Sequence, residues 1–150
     1  MHEWSLAEGI YRAVVEFAEK HKAKKIIEID VSVGELSNLD IELMREAFEI
    51  LAKGSIAENA KINFTIEKAF FKCEKCGYEW GLEEAFKQMR EKLGENKHIM
   101  DEEGTLDLPI HYMPDLIYAF IACPRCRSAN FKVISGTGIS VKRVVIENGI

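Results

Sequence analysis

Two Cys-x-x-Cys pairs contain every cysteine of the chain: Cys73 with Cys76, and Cys123 with Cys126. Two thiolates three positions apart can hold one metal ion from a tight turn, and two such turns complete a tetrahedral site of four sulfurs. Gly77 directly follows the first pair and accepts the positive φ that such a turn often needs. We therefore predict a metal centre, with zinc favoured because Zn²⁺ accepts four-sulfur geometry.

Other uses of the four sulfurs stay open at this point. Each pair could form a disulfide, which is rare inside most cells but occurs in hyperthermophiles. Iron could replace zinc, because sulfur spacing does not separate the two metals. A zinc-ribbon motif usually separates its pairs by roughly 15–20 residues, whereas residues 77–122 intervene here. This spacing predicts that an additional segment is inserted into the metal-binding module.

The amino-terminal residues form a second set of candidate ligands. The α-amine of Met1, the amide nitrogen of His2 and the His2 imidazole can close adjacent chelate rings on one ion. Nitrogen-rich, planar ligand sets suit Ni²⁺ or Cu²⁺. Glu3 could add its amide or its carboxylate, and His98 in the inserted segment is a further candidate. Alternatively, His2 is a solvated terminal residue and Glu3 only complements a helix N-terminus.

Apolar residues at helical spacing predict three helices. A capping box at Ser5 begins the first helix, which extends to about Lys20. Asp40 begins the second helix and Gly54 terminates it. A third helical pattern lies in the inserted segment and ends at Gly94. Its apolar face is formed by Leu82, Phe86, Met89 and Leu93.

Alternation with a period of two predicts the strands of the main sheet. The first covers residues 25–33, and the second has Ile62, Phe64 and Ile66 on its buried face. The last strand begins after a turn at residues 135–138 and contains a bulge near Lys142. In the metal-binding module we expect an exposed loop over residues 95–107 and strands over residues 116–122 and 131–134.

These elements predict an α+β fold in which two helices lie on one face of a three-stranded sheet, with an inserted zinc-ribbon-like module. Residues 1–70 and 136–150 form the α+β domain that carries the amino-terminal ligands. Residues 71–135 form the zinc-binding module, and residues 77–122 are its insertion.

Composition excludes several classes of protein. The chain has 150 residues, of which 47% are hydrophobic and 30% charged, as is typical of a globular domain. Its net charge of −5 argues against nucleic-acid binding, which needs a basic face. Its longest apolar run is too short to span a bilayer, and its N-terminus has no export signal, so we expect a cytoplasmic protein. A closed four-sulfur site also lacks the open position of catalytic zinc, so we expect no enzyme.

The chain resembles a known family. Its first seven residues, MHEWSLA, the stretch IDVSVGELS at residues 29–37 and the two cysteine pairs are similar to the HypA/HybF nickel metallochaperones. The resemblance implies delivery of Ni(II) during [NiFe]-hydrogenase maturation, with His2 as the essential ligand and with the Met1 amine and Glu3 beside it. It also implies structural Zn(II) held by Cys73, Cys76, Cys123 and Cys126. The implied partners are a HypB-type GTPase and the immature hydrogenase large subunit, with no nucleic acid and no membrane.

Two functions from other classes stay open on the residues alone. A zinc-ribbon module that binds protein or nucleic acid would use the same four cysteines, and for nucleic acid it would need a basic surface. A rubredoxin-like electron carrier would hold iron in the four sulfurs, and the purified protein would be red.

Overall fold

The structure is a computed structural model that describes residues 2–93, 99–100, 106–107 and 121–148. In these ranges the helices are α1 (Glu3–Lys20), α2 (Ile41–Ala52) and α3 (Leu82–Leu93), with a 3₁₀ turn at Glu35–Ser37. The strands are β1 (Ala23–Gly34), β2 (Lys61–Glu67), β3 (Phe70–Cys73), β4 (Glu79–Gly81), β5 (Ile99–Met100), β6 (Leu106–Asp107), β7 (Phe131–Ser135) and β8 (Ile139–Asn148). The mixture of helices and antiparallel sheets confirms the predicted α+β class. None of the helices in these ranges is long and apolar enough to cross a bilayer.

The chain divides into two compact units. The first unit comprises Met1–Val33, Leu39–Ile66 and Ile139–Ile150. The second unit comprises Gly34–Asn38 and Glu67–Gly138, and therefore contains all four cysteines. The segment Gly34–Asn38, which begins at the last residue of β1, thus belongs to the second unit.

The first unit contains a three-stranded sheet in the order β2-β1-β8. β1 and β8 run antiparallel, with Asp30 paired to Arg143 and Val31 paired to Val141. Lys142 is left over between these two pairs, which confirms the bulge predicted near this residue. β8 therefore keeps its apolar residues on the core side of the sheet on both sides of the bulge.

Helices α1 and α2 share one hydrophobic core with this sheet. The sheet contributes mainly β1, whose core-facing residues are at most 1% exposed: Ile26, Ile29, Val31 and Val33. From the helices, the core includes Ala7, Val14, Met44, Ala47 and Phe48. On β2, Ile62 is 3% exposed but Ile66 is 54% exposed, so the prediction that Ile66 faces the core is wrong. Alternation gives the face of a strand, but not how far along the strand the packed layer extends.

The start of α1 differs from the prediction. The helix begins at Glu3 with His2 as its N-cap residue, and the His2 carbonyl accepts a hydrogen bond from the Leu6 amide at 2.9 Å. Ser5 therefore lies inside the helix, and its predicted role in a capping box is wrong. The earlier start is stabilised by a distant contact, in which the Asp40 amide donates to Glu3 Oε1 at 3.2 Å.

The limits of α2 agree with the prediction. Asp40 is its N-cap residue and accepts a hydrogen bond from the Leu43 amide at 3.1 Å. The helix ends at Ala52, and Gly54 has φ +77°, the left-handed conformation that commonly follows a helix.

The second unit contains a smaller sheet in the order β4-β3-β7. Phe71 in β3 pairs with Trp80 in β4 and with Val133 in β7. Helix α3 has the predicted position, with Ala85 and Met89 fully buried against this module. Strand β7 was predicted, whereas the three-residue β4 was not, because three residues are too few for a recognisable alternation.

The inserted segment is described only in part. Where an exposed loop was predicted over residues 95–107, β5 and β6 form a short antiparallel pair, so that prediction is wrong over these four residues. Most of the strand predicted over residues 116–122 lies outside the described residues. Ile121, at its end, is buried but not in a strand.

Candidate metal centre

The four cysteine sulfurs converge on one point in the second unit. Their Sγ atoms all lie within 4.8 Å of one another. Cys73 and Cys126 are 3.5 Å apart, as are Cys76 and Cys123. A tetrahedral site with Zn–S bonds of ~2.3 Å has sulfurs about 3.8 Å apart, so the arrangement fits a single four-sulfur ion. All four are free thiols in the structure.

The two cysteine turns are built alike. In the first, the Gly77 amide donates to the Cys73 carbonyl at 2.9 Å, and Gly77 has φ +80°. In the second, the Arg127 amide donates to the Cys123 carbonyl at 2.8 Å, and Arg127 has φ +63°. Arg127 thus occupies the left-handed position that glycine occupies in the first turn.

Backbone amides point at the two buried sulfurs. The Lys75 and Cys76 amides each lie 3.4 Å from Cys73 Sγ. The Cys126 amide lies 3.4 Å from Cys123 Sγ in the same way. Amide donors stabilise thiolates, and only a thiolate binds a metal ion.

The pKa values of Cys73 and Cys76 shift in opposite directions. The hydrogen bond from the Cys76 amide, assisted by the Lys75 amide, lowers the pKa of Cys73 to about 6. Although the Tyr78 amide favours the thiolate of Cys76, desolvation and the other sulfurs raise the pKa of Cys76 to about 11. The thiolate of Cys73 therefore forms readily, whereas the raised pKa of Cys76 means that its thiolate needs a nearby cation to form at neutral pH.

An aromatic cluster packs beside the cysteine turns. Phe71 and Trp80 are at most 2% exposed, and their ring centroids lie 5.7 Å apart. Phe131 contacts both rings at nearly perpendicular or inclined angles, and Tyr78 stacks on Trp80 at 6.2 Å. The same core contains Cys73 and is therefore continuous with the metal site.

At the other predicted site, His2 is exposed and its side chain makes no capping hydrogen bond to α1. Glu3 is only 6% exposed, and one of its carboxylate oxygens accepts the Asp40 amide hydrogen bond. Asp40 thus lies beside the amino-terminal residues, although the sequence indicated only a helix cap. No local pattern could have shown this, because 37 positions separate the two residues. Met1 and His98 lie outside the described residues.

Comparisons with known proteins show the family of this chain. The family model described as hydrogenase/urease nickel incorporation, metallochaperone, hypA matches residues 1–146. A hydrogenase maturation factor HypA from Pyrococcus horikoshii is 44% identical over 147 residues, covering 98% of this chain and 96% of that protein. A protein of the same name from Thermococcus onnurineus is 39% identical over the same share of each chain.

Solved structures support the fold. The solution structure of the Ni metallochaperone HypA from Helicobacter pylori is similar, with a TM-score of 0.58, 20% identity and coverage of 99% of each chain. A second solution structure, of HypA protein, has a TM-score of 0.59 and 22% identity and covers 97% of this chain and 96% of that one. With a family match over nearly its whole length and relatives of this identity, the chain belongs to the HypA family of nickel metallochaperones for hydrogenase maturation.

Proposed function

We propose that this chain carries Ni(II) at its amino terminus and delivers it to the immature large subunit of a [NiFe]-hydrogenase, while its four cysteines hold a structural Zn(II). The nickel ligands are the Met1 amine, the amide and imidazole of His2, and Glu3. A HypB-type GTPase is the expected partner in nickel transfer. Membership of the HypA family and the names of its relatives support the general role.

The observation that carries the nickel proposal is the position of His2 at the start of α1. The first N–H groups of an α-helix have no intrahelical acceptor, and the amide of His2, the N-cap residue, directly precedes them. The positive end of the helix dipole favours negative charge and therefore the loss of an amide proton to a metal. His2 is exposed, as a ligand must be if it is to give up its ion.

Glu3 can bind the nickel ion through its carboxylate or through its backbone amide. Its carboxylate is buried and accepts the Asp40 amide hydrogen bond, which fixes the start of α1. We therefore assign its metal-binding role to the backbone amide, with the carboxylate orienting the terminus. The carboxylate-ligand alternative predicts loss of nickel in Glu3→Gln, whereas the amide assignment predicts that this variant retains most of its affinity.

The cysteine site has the opposite character. Four thiolates leave a zinc ion no open position, so the ion organises the fold and performs no reaction. With one closed site and one site that releases its ion, the chain transfers a metal and converts no substrate. An electron carrier would need iron in the four sulfurs, so the metal content of the purified protein separates the two functions.

Titration calorimetry with Ni(II) on untagged protein tests the proposal. Replacement of His2 by Ala, or addition of one residue before Met1, should weaken nickel binding at least tenfold. His21→Ala is the matched control, because His21 is an exposed histidine at the opposite end of α1. Elemental analysis should find one zinc per chain in the wild type and in all three variants. Equal nickel affinity of the His2 and His21 variants, or iron in place of zinc, would contradict the proposal.

A further inference from the structure

Strand β8 has an open edge in the first unit. Within the described residues its only partner in the sheet is β1. In an antiparallel strand, alternate residues direct their N–H and C=O groups away from the partner. Roughly half of this ten-residue strand therefore presents unpaired backbone groups. The opposite edge of the sheet is β2. There a side chain occupies one of the backbone acceptors, since Arg45 Nη1 donates to the Ile62 carbonyl.

Apolar surface adjoins this open edge. The core-facing residues of β8 are all partly exposed: Ile139, Val141, Val144 and Ile146. A groove of about 340 Å³ lies between β8 and α1, and we call it the β8 groove. It is lined by Ala13, Val14 and Phe17 of α1 and by residues 141–144 of β8. Phe17 is 41% exposed at its wall and adds apolar surface to the groove.

Two cations flank the groove on a chain whose net charge is −5. Arg143 is engaged, since it donates to Asp30 and Glu28 at 2.7 Å each. Lys142, at the bulge, is exposed and forms no ion pair with any described residue. The exposed Glu147 lies further along β8 and does not line the groove. The available charge beside the groove itself is therefore positive and is complementary to a carboxylate.

A second copy of this chain fits the edge poorly. Antiparallel pairing of two β8 strands about their midpoint would bring the Lys142–Arg143 pairs of the copies near each other. Lysine on an edge strand disfavours pairing with a copy that presents the same lysine, because the two like charges repel. An acidic strand from another protein meets no such repulsion.

We propose that the β8 edge and the β8 groove dock an extended segment of a partner protein that carries an apolar side chain and a neighbouring carboxylate. The segment adds a strand to the sheet antiparallel or parallel to β8. Main-chain hydrogen bonds provide the affinity, the apolar side chain enters the groove beside Phe17, and the carboxylate pairs with Lys142. This surface uses no nickel or zinc ligand, so the inference stands apart from the proposed metal sites.

Selection from a random nine-residue peptide library on the immobilised full-length protein tests this inference. We expect enrichment of peptides that combine β-branched residues with Asp or Glu. Binding of these peptides should fall at least tenfold in Ala13→Lys, which fills the groove from an exposed helical position. Ile50→Lys is the matched control, because Ile50 is 53% exposed on α2 and the charge change is the same.

Two further measurements make the result decisive. Lys142→Glu should reverse the charge preference, so that basic peptides are selected in place of acidic ones. Amide hydrogen exchange should show protection of β8 and not of β2 when a selected peptide is bound. The inference is overturned if no peptide is enriched, or if enriched peptides bind Ala13→Lys as well as wild type. It is also overturned if sedimentation shows that the wild type self-associates and Ala13→Lys does not.

Discussion

Gly136 and Gly138 occupy the same turn and both have positive φ, +87° and +75°, but their surroundings differ. A Cβ atom on Gly136 would lie 2.3 Å from the Cα atom of Ala69. A Cβ atom on Gly138 would meet nothing within 4 Å. The two positions therefore separate the cost of a left-handed backbone from the cost of a steric clash.

We predict that Gly138→Ala lowers the free energy of unfolding by about 1–2 kcal/mol, the ordinary cost of a left-handed alanine. Gly136→Ala should lower it by a further ~1–3 kcal/mol, because the backbone at Ala69 must move. Urea unfolding of both variants measures the difference. Gly9→Ala is a control in the opposite direction, since this glycine lies inside α1 with nothing near its Cβ position and should gain stability. Equal losses at 136 and 138 would show that the turn yields to the added methyl group.

At the residue scale, the sequence predicted those features that have a local cause. The four cysteines and the Asp40 cap follow from spacing and residue type. The hydrogen bond from the Asp40 amide to Glu3 does not, because it joins two helix starts that only the tertiary structure brings together. Because this contact cannot be seen in the sequence, the capping-box pattern predicted Ser5 as the start of α1 in place of Glu3.

At the scale of elements, a polar network ties the three strands of the first sheet. Glu28 and Asp30 of β1 both accept hydrogen bonds from Asn63 of β2 and from Arg143 of β8. Asn63 first, and then Arg143, lowers the pKa of each carboxyl below its ordinary value of 4.5 or 3.8. A carboxylate with a lowered folded-state pKa stabilises the fold above its unfolded pKa, and this stabilisation is lost as the pH falls through the folded value.

We therefore expect Arg143→Gln to reduce the acid sensitivity of the protein. Between about pH 6 and pH 3, the urea midpoint of the wild type should fall more steeply than that of the variant. Arg12→Gln is the matched control, because among the described residues Arg12 pairs only with Glu8 on the exposed surface of α1, where an ion pair contributes little. Parallel curves for the wild type and Arg143→Gln would exclude a role of this network in acid stability.

The elements also show where alternation is a reliable guide and where it fails. The failure of alternation near Lys142 correctly indicated a bulge, because an extra residue must shift every later side chain to the other face. The same pattern on β2 misplaced Ile66, since the helices do not cover the end of that strand. β4 was missed because its three residues are held by their neighbours in the sheet and not by a periodic sequence.

At the scale of the whole molecule, each unit has its own hydrophobic core. The core of the first unit is built from α1, α2 and the β2-β1-β8 sheet and contains no cysteine. The core of the second unit is smaller and includes Cys73 and Cys123. A structural metal held by the four cysteines would therefore contribute directly to the second core.

Removal of zinc should therefore unfold the second unit selectively. Structural zinc contributes an apparent ~10–16 kcal/mol in zinc-finger peptides, more than a core of this size can replace.

The chain offers a specific probe, because it has two tryptophans and they lie in different units: Trp4 is 46% exposed and Trp80 is 2% exposed. In Trp4→Phe, treatment with a strong zinc chelator should shift the emission of Trp80 to that of a solvated indole. Hydrogen exchange should accelerate at least tenfold in β3 and β7 while α1 and β1 stay protected, and re-added zinc should restore both signals. Unchanged emission of Trp80 in demonstrably metal-free protein would show that the four cysteines are not a structural centre, whereas equal loss of protection in α1 would show that the two units fold as one.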